Sequence, residues 1–208
     1  MTQDYPFTIT LPAIKWVIKA ISKNKNRPAL SYGALVHKDG CTYLVCTDTH
    51  RIHAYQVGVS DPHDQLIVDI RLLLVHMSSR NAKIAKFDLT GSGIMGNEQT
   101  SKDPEVWYPF YQSVVLEGSG YSPPSMLRVI ESAEKAVTHQ GDNFAIDAKY
   151  LAEAISIEPQ VAIFSQRYNS AIWVTYNGKQ YDAPDWFAII MPVNPHHAAL
   201  YCRSSPPA

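Results

Sequence analysis

The sequence predicts an α+β protein built from repeated βαβββ units, with helices on one face of curved antiparallel sheets. Three observations carry this. The order strand, helix, three strands occurs three times along the chain, and an internal repeat of that length is architecture rather than chance. The helical stretches hold apolar residues at three- and four-residue spacing, whereas the strand runs are short. Two hairpin dipeptides, Asp39-Gly40 and Asn177-Gly178, fall between strand runs, where a type I′ turn needs residues that tolerate positive φ.

The first unit opens with a strand at Thr8–Thr10. Pro12 suits the first turn of a helix, where its missing N–H costs nothing. Ile14, Val17, Ile18 and Ile21 then recur at helical spacing, and the helix is expected to run to about Asn24–Asn26, before Pro28. Strands are expected at Ala29–His37, Thr42–Asp48 and Ile52–Val59. In the second unit a strand at Gln65–Asp69 precedes a helix at Ile70–Ser79, with strands at Ala82–Leu89, Gly93–Asn97 and Pro109–Leu116. Glu117–Pro124, rich in Gly, Ser and Pro, reads as a linker. Met126–Val137 reads as an amphipathic helix outside the repeats. The third unit has a strand at Asn143–Ile146, a helix at Ala148–Ile157 and strands at Val161–Gln166, Ala171–Tyr176 and Trp186–Pro192. The expected organisation is therefore one domain of two units over residues 1–116, a linker at 117–124, a partial domain at 125–195 and a loose tail at 196–208.

Composition narrows the function classes. The 208 residues carry a formal net charge of −1, with 46% hydrophobic and 18% charged residues, so the chain is globular rather than disordered or polyelectrolyte. A near-neutral total still permits one basic face balanced by acidic ones. No apolar run reaches the roughly 20 residues of a membrane span, and Met1–Phe7 has no secretory signal pattern. Cys41, Cys46 and Cys202 are an odd count without disulfide spacing. These features lead us to expect a soluble cytoplasmic protein with no membrane partner and no cofactor.

Four segments carry a family resemblance. Tyr43-Leu44-Val45-Cys46-Thr47-Asp48-Thr49-His50-Arg51-Ile52 resembles the TDGHRL segment of the bacterial DNA polymerase III β-subunit, the DNA sliding clamp. Tyr108-Pro109-Phe110-Tyr111 with Val114-Val115 is similar to that family's FPDY…VI segment. The stretch Phe144–Ala154 resembles its FNxxYLxDAL motif, and Ile189-Ile190-Met191-Pro192 its C-terminal VMPM. The four occur in the family's order and span nearly the whole chain. The family's chain has three domains of two βαβββ units each, and two chains close a ring. Only three units are visible here. Thr49 stands where the family has Gly, and Val193-Asn194 replaces its Met-Arg ending. A ring of so short a chain needs several copies, so homo-oligomerisation is expected if the ring is kept.

The resemblance implies two candidate sites and no chemistry. Clamps line their bore with helices whose Lys and Arg contact phosphates without reading bases. Lys15, Lys19 and Lys23 lie on one helical stripe, and Lys25 and Arg27 follow: five cations in thirteen residues, without an acid among them. Arg71, Arg80 and Lys83 of the second unit join them as the expected duplex-DNA contacts. The plainer reading of these residues is a solvated helix face. The second site is a hydrophobic pocket for short linear motifs of DNA polymerases and repair proteins. The resemblance carries its wall onto Thr47, His50, Arg51 and Ile52, with Met191, Pro192 and Val193 opposite. Against this, Ile52 and Met191 read equally well as strand-core residues.

Enzyme readings are weaker. Asp48-Thr49-His50 after a strand resembles the first ligands of a metal-dependent phosphodiesterase, but two-metal catalysis needs more ligands, and the nearest segments, Gly96-Asn97-Glu98 and Gly141-Asp142-Asn143, come in reverse order, each lacking one. A zinc site from His37, Cys41, Cys46, His50 and His53 lacks paired ligand spacing. Trp16, Trp107, Trp173 and Trp186 are scattered and read as core rather than as a stacking platform. The expectation is a non-enzymatic clamp-like scaffold. The alternatives are a clamp-fold interaction module that does not encircle DNA, and a phosphodiesterase using Asp48 and His50.

Overall fold

In the computed structural model, the described residues are 5–24, 26–59, 66–90, 93–112, 125–135, 146–158, 161–164, 171–176 and 185–191. The first unit comprises β1 (Phe7–Thr10), α1 (Leu11–Val17, continued by a 3₁₀ turn at Ile18–Ala20), β2 (Gly33–Lys38), β3 (Cys41–Thr47) and β4 (Arg51–Gly58). The second comprises β5 (Leu66–Val68), α2 (Ile70–Ser79), β6 (Ala82–Thr90), β7 (Gly93–Thr100) and β8 (Trp107–Gln112). Then come α3 (Met126–Lys135), α4 (Ala148–Ala154, with a 3₁₀ turn at Ile155–Ile157), β9 (Val161–Phe164), β10 (Ile172–Tyr176) and β11 (Trp186–Ile190). The expected strand at 143–146 falls mainly outside the described residues, as do the linker, the Asn177-Gly178 turn and the tail.

Each unit helix starts where a polar side chain at the end of the preceding segment caps it. Thr10 accepts from the Ala13 N–H, Asp69 from those of Arg71 and Leu72, and Asp147 from that of Lys149. Such caps satisfy amides that the first helical turn leaves orphaned. The hairpin at Asp39-Gly40 has φ of 52° and 77°, as a type I′ turn requires.

The first two units exchange their leading strands. β1 pairs with β6 from Phe7↔Phe87 to Thr10↔Ile84, and β5 pairs with β2 from Gly33↔Val68 to Leu35↔Leu66. Neither unit completes its sheet alone, so the two fold as partners. The described strands form one antiparallel sheet in the order β5-β2-β3-β4-β1-β6-β7-β8, with β11, β10 and β9 branching from β4. β4 is the branch point. Its residues Arg51–Tyr55 pair with β11, and Gly58 pairs with Phe7 of β1. A side chain at Gly58 would bring its Cβ to 2.3 Å from the Pro6 carbonyl oxygen, so β1 can approach only a glycine there. The β11–β4 ladder crosses the expected boundary between residues 1–116 and 125–195.

Two cores lie on opposite faces. The larger packs Ile9, Ile14, Val17, Leu44, Phe87, Ile94 and Ala154 between the sheet and the unit helices α1, α2 and α4. The smaller, on the outer face, joins Val36, Tyr43, Ile52, Trp173, Phe187 and Ile189 to Met126 and Ile130 of α3. Strands β3, β4, β10 and β11 are therefore buried on both faces at their centres, which explains their nearly unbroken apolar runs.

Two elements depart from the expected bounds. β2 begins at Gly33 rather than Ala29, because Pro28–Ser31 form a 3₁₀ turn. The α1 helix ends its 3₁₀ turn at Ala20, not near Asn24–Asn26, because Ile21 turns extended (φ −70°, ψ 140°) and Ser22 takes the Leu30 carbonyl. Burial of Ile21 and Ser22 beside Leu30 outweighs one more helical turn. Lys23 therefore leaves the stripe of Lys15 and Lys19 and stands on the segment that follows.

Candidate functional site

The unit helices form a layer with α1 in the middle. The Trp16 indole N–H donates to the carbonyls of Glu153 (3.1 Å) and Ala154 (3.0 Å) at the end of α4, and α1 packs against α2 on its other side. Lys15, Lys19, Arg71 and Lys149 are exposed on this layer. Lys19 Nζ donates to Ser156 Oγ at 2.7 Å, and Arg71 reaches the Ser22 carbonyl at 3.4 Å. Lys23 and Arg27 are exposed on the segment after α1, and Arg27 donates to Thr49 Oγ1 at 3.0 Å.

The remaining cations are placed differently. Arg80 follows α2 and pairs through Nε with Glu98, a fully buried carboxylate that also meets His76 Nε2 at 3.0 Å. Lys83 is exposed on β6 at a break in register. Lys25 lies outside the described residues. Sequence reading did not anticipate that α2 also exposes Leu72 and Val75, 44% and 64% accessible.

The candidate peptide wall is built on the β3–β4 turn. Asp48 Oδ1 accepts from the backbone N–H of His50 (3.0 Å) and Arg51 (3.1 Å), and Thr47 Oγ1 donates to the Arg51 carbonyl at 2.7 Å. Thr49 sits at φ 79°, a left-handed conformation that is strained for a β-branched residue. The Met191 N–H donates to the His50 carbonyl at 2.7 Å, and Ile189 and Ile190 pair with Ile52 and Arg51. Thr47, His50, Arg51, Ile52 and Met191 are thus neighbours despite some 140 intervening residues between the two segments. Pro192 and Val193 lie outside the described residues.

Their exposures divide them. His50 and Met191 face solvent, while Thr47, Arg51 and Ile52 are buried. Ile52 belongs to the outer-face core. Arg51 points to the opposite face, where it pairs with Asp48 Oδ2 (3.1 Å), Glu153 and the Lys19 carbonyl and lies 4.4 Å from the Tyr150 ring centre. The His50 ring stacks on the same Tyr150, with ring centres 6.4 Å apart. Tyr150 and Glu153 were not read as site residues in the sequence. Their spacing of three on a helix was the available signal.

Among the described residues the enzyme readings find no ligand set. Asp48 is committed to the turn and to Arg51. Among the described residues no group of three or more His, Cys, Asp or Glu is arranged to hold a metal ion. Burial pushes the Cys46 thiol up, and Cys41 accepts from Gln56 at 3.2 Å. Beside the site, His53 is buried with its ring stacked on Trp16 and Nδ1 3.0 Å from the Trp16 carbonyl oxygen. Burial lowers its pKa to about 4.

No protein-family model and no curated protein matches the chain. Solved structures do match. The DNA polymerase III β chain of Streptococcus pneumoniae TIGR4 has 15% identity and a TM-score of 0.57 over 93% of this chain and 66% of its own. A putative β subunit from Eubacterium rectale has 13% identity and a TM-score of 0.59 over 93% and 67%. The β subunit of Thermotoga maritima has 12% identity and a TM-score of 0.55 over 90% and 64%. This chain therefore has the sliding-clamp fold, and it spans about two thirds of the length of the clamps it matches. No helix among the described residues is long and apolar enough to cross a membrane.

Proposed function

We propose that this chain is a non-enzymatic, cytoplasmic clamp-like scaffold that engages duplex DNA without sequence specificity and receives replication or repair partners at the β3–β4 turn. One observation supports this most directly: α2, α1 and α4 form one layer bearing exposed Lys15, Lys19, Arg71 and Lys149. Cations on a rigid layer attract phosphates without reading bases, and such binding weakens steeply with salt. In this reading Lys23, Lys25 and Arg27 extend the basic surface. Arg80, held by Glu98, contributes least. Residues 1–116 form one clamp-like domain, residues 125–195 part of a second, and several copies complete a ring.

Fluorescence anisotropy on two duplexes of unrelated sequence tests the proposal. Equal affinities that fall together by orders of magnitude between about 50 and about 200 mM salt support it. No binding at the lower salt defeats it. For the turn, a peptide of the Gln-Leu-x-Leu-Phe type is expected to bind the wild-type chain, and Met191→Glu is expected to weaken it.

A second reading rests on Leu72 and Val75. An apolar stretch on the helix layer suits a protein surface better than phosphates, and points to a clamp-fold interaction module without DNA encirclement. Light scattering with and without circular DNA separates the two. A strict monomer indifferent to DNA favours the module.

A further inference from the structure

The outer face of β6, β7 and β8 turns away from the core that Phe87, Ile94 and Phe110 join on the other side. One face of an antiparallel sheet is often solvated, and such a face ordinarily carries polar side chains. This one is largely aromatic and apolar. Trp107, Pro109 and Tyr111 stand along it on β8, and in register beside them on β7 stand Gln99, Asn97 and Met95. Met95 and Tyr111 are 40% and 54% accessible, and Pro109 is exposed. Large apolar side chains grouped in the open in this way mark interaction surfaces.

Trp107 also departs from the expectation that all four tryptophans are core. Trp16, Trp173 and Trp186 are at most 3% exposed, whereas Trp107 is half-buried at the surface, with the Lys86 ammonium 5.0 Å from its ring centre. Tyr111 follows it on the same face four residues along the strand, a step of about 13 Å. The charges nearby balance. Lys86 and Asp88 are both exposed on β6, and exposed Lys102, Asp103 and Glu105 lie just before Trp107. A surface with that balance has no pull on a polyanion.

We propose that this face is a docking surface for a proline-rich segment of a partner protein in the polyproline II conformation. Such a segment rises about 3.1 Å per residue, so four of its residues span about 12 Å and match the step from Trp107 to Tyr111. Proline rings pack on aromatic side chains in the surfaces that take this conformation. The segment makes no internal hydrogen bonds, so its carbonyls need donors. The amides of Gln99 and Asn97 and the Lys86 ammonium supply them on the same face. A proline-rich segment is neutral, as the balanced charges here suit, and it is already extended, so little order is lost on binding. The helix layer packs on the opposite face of the sheet, so the proposal stands whether or not the chain binds DNA.

Titration of labelled decaproline with the full chain, followed by fluorescence anisotropy, tests this. Binding is expected at micromolar concentration, with a Gly-Ser peptide of equal length left unbound. Trp107→Ala and Tyr111→Ala are each expected to weaken it about tenfold. Iodide quenching of tryptophan fluorescence, which reaches Trp107 ahead of the three buried rings, is expected to fall as decaproline binds. No binding at about 1 mM decaproline overturns the proposal. So does binding that neither substitution weakens in chains with wild-type circular dichroism. Tighter binding of decathymidylate than of decaproline overturns it too, in favour of single-stranded nucleic acid stacked on the same rings. Tyr111 is 54% exposed, so Tyr111→Ala decides should Trp107→Ala not fold.

Discussion

Arg51 on β4 and Glu153 on α4 form a largely buried ion pair that ties the first unit to the third. The same guanidinium holds Asp48, which caps the β3–β4 turn, and the Lys19 carbonyl at the end of the first helix. One side chain therefore fixes the candidate peptide wall to the helix layer. Arg51 itself is 6% exposed, so removing its charge strands carboxylates that have lost their partner.

Arg51→Ala is expected to destabilise the chain by about 3 kcal/mol, near the lower end for breaking a buried pair because Glu153 keeps 25% of its side chain in water. Arg51→Lys is expected to restore little, since one ammonium cannot serve three acceptors in the fork geometry of a guanidinium. Urea unfolding of the three chains checks both.

Thr49 yields the opposite sign. At φ 79° its side chain costs roughly 1–2 kcal/mol, and glycine removes that cost at the expense of a looser unfolded chain and the exposed Arg27 bond. Thr49→Gly is expected to raise stability by roughly 0.5–1 kcal/mol, read as a higher urea midpoint with an unchanged slope.

His53 makes stability fall with acid. Its Nδ1 donates to the Trp16 carbonyl while Nε2 has no partner among the described residues, so protonation would bury an unsatisfied charge. Unfolded, the imidazole binds a proton below about 6.5, whereas folded it does so only below about 4. The unfolded state then holds more protons, so the stabilisation is full above pH 6.5 and is lost as pH drops from there to 4, about 3 kcal/mol in all. His53→Phe, which keeps the stacking on Trp16, is expected to flatten that slope in unfolding measured across the same pH range.

Much of this was legible in the residues. Apolar residues at helical spacing located α2 over Ile70–Ser79 and α3 from Met126, and Asp39-Gly40 located its hairpin, because these signals are local. The length of α1 was not, since Ile21 leaves the helix for the core and the Ser22 N–H turns to the Leu30 carbonyl, eight residues on. Exchange of β1 and β5 between units is invisible for the same reason: each strand reads as the start of its own unit. At the site, similarity to clamp motifs named Thr47, His50, Arg51, Ile52 and Met191, which the strand pairing sets on adjoining segments. It did not reveal that Arg51 and Ile52 point to opposite faces and are both buried. Strand alternation dictates the first point, and only the partners on each face dictate the second.

Lys15 and Lys19 on the helix layer, with Lys23 on the segment after α1, are the proposed contacts to duplex DNA. Duplex binding across a salt series, compared between the wild type and Lys15→Glu/Lys19→Glu/Lys23→Glu, tests that proposal most directly. All three side chains are exposed, so the variant is expected to stay folded, to lose most of its affinity and to show a salt slope shallower by up to about 3. A folded variant that binds as tightly as the wild type, with the same slope, would contradict it.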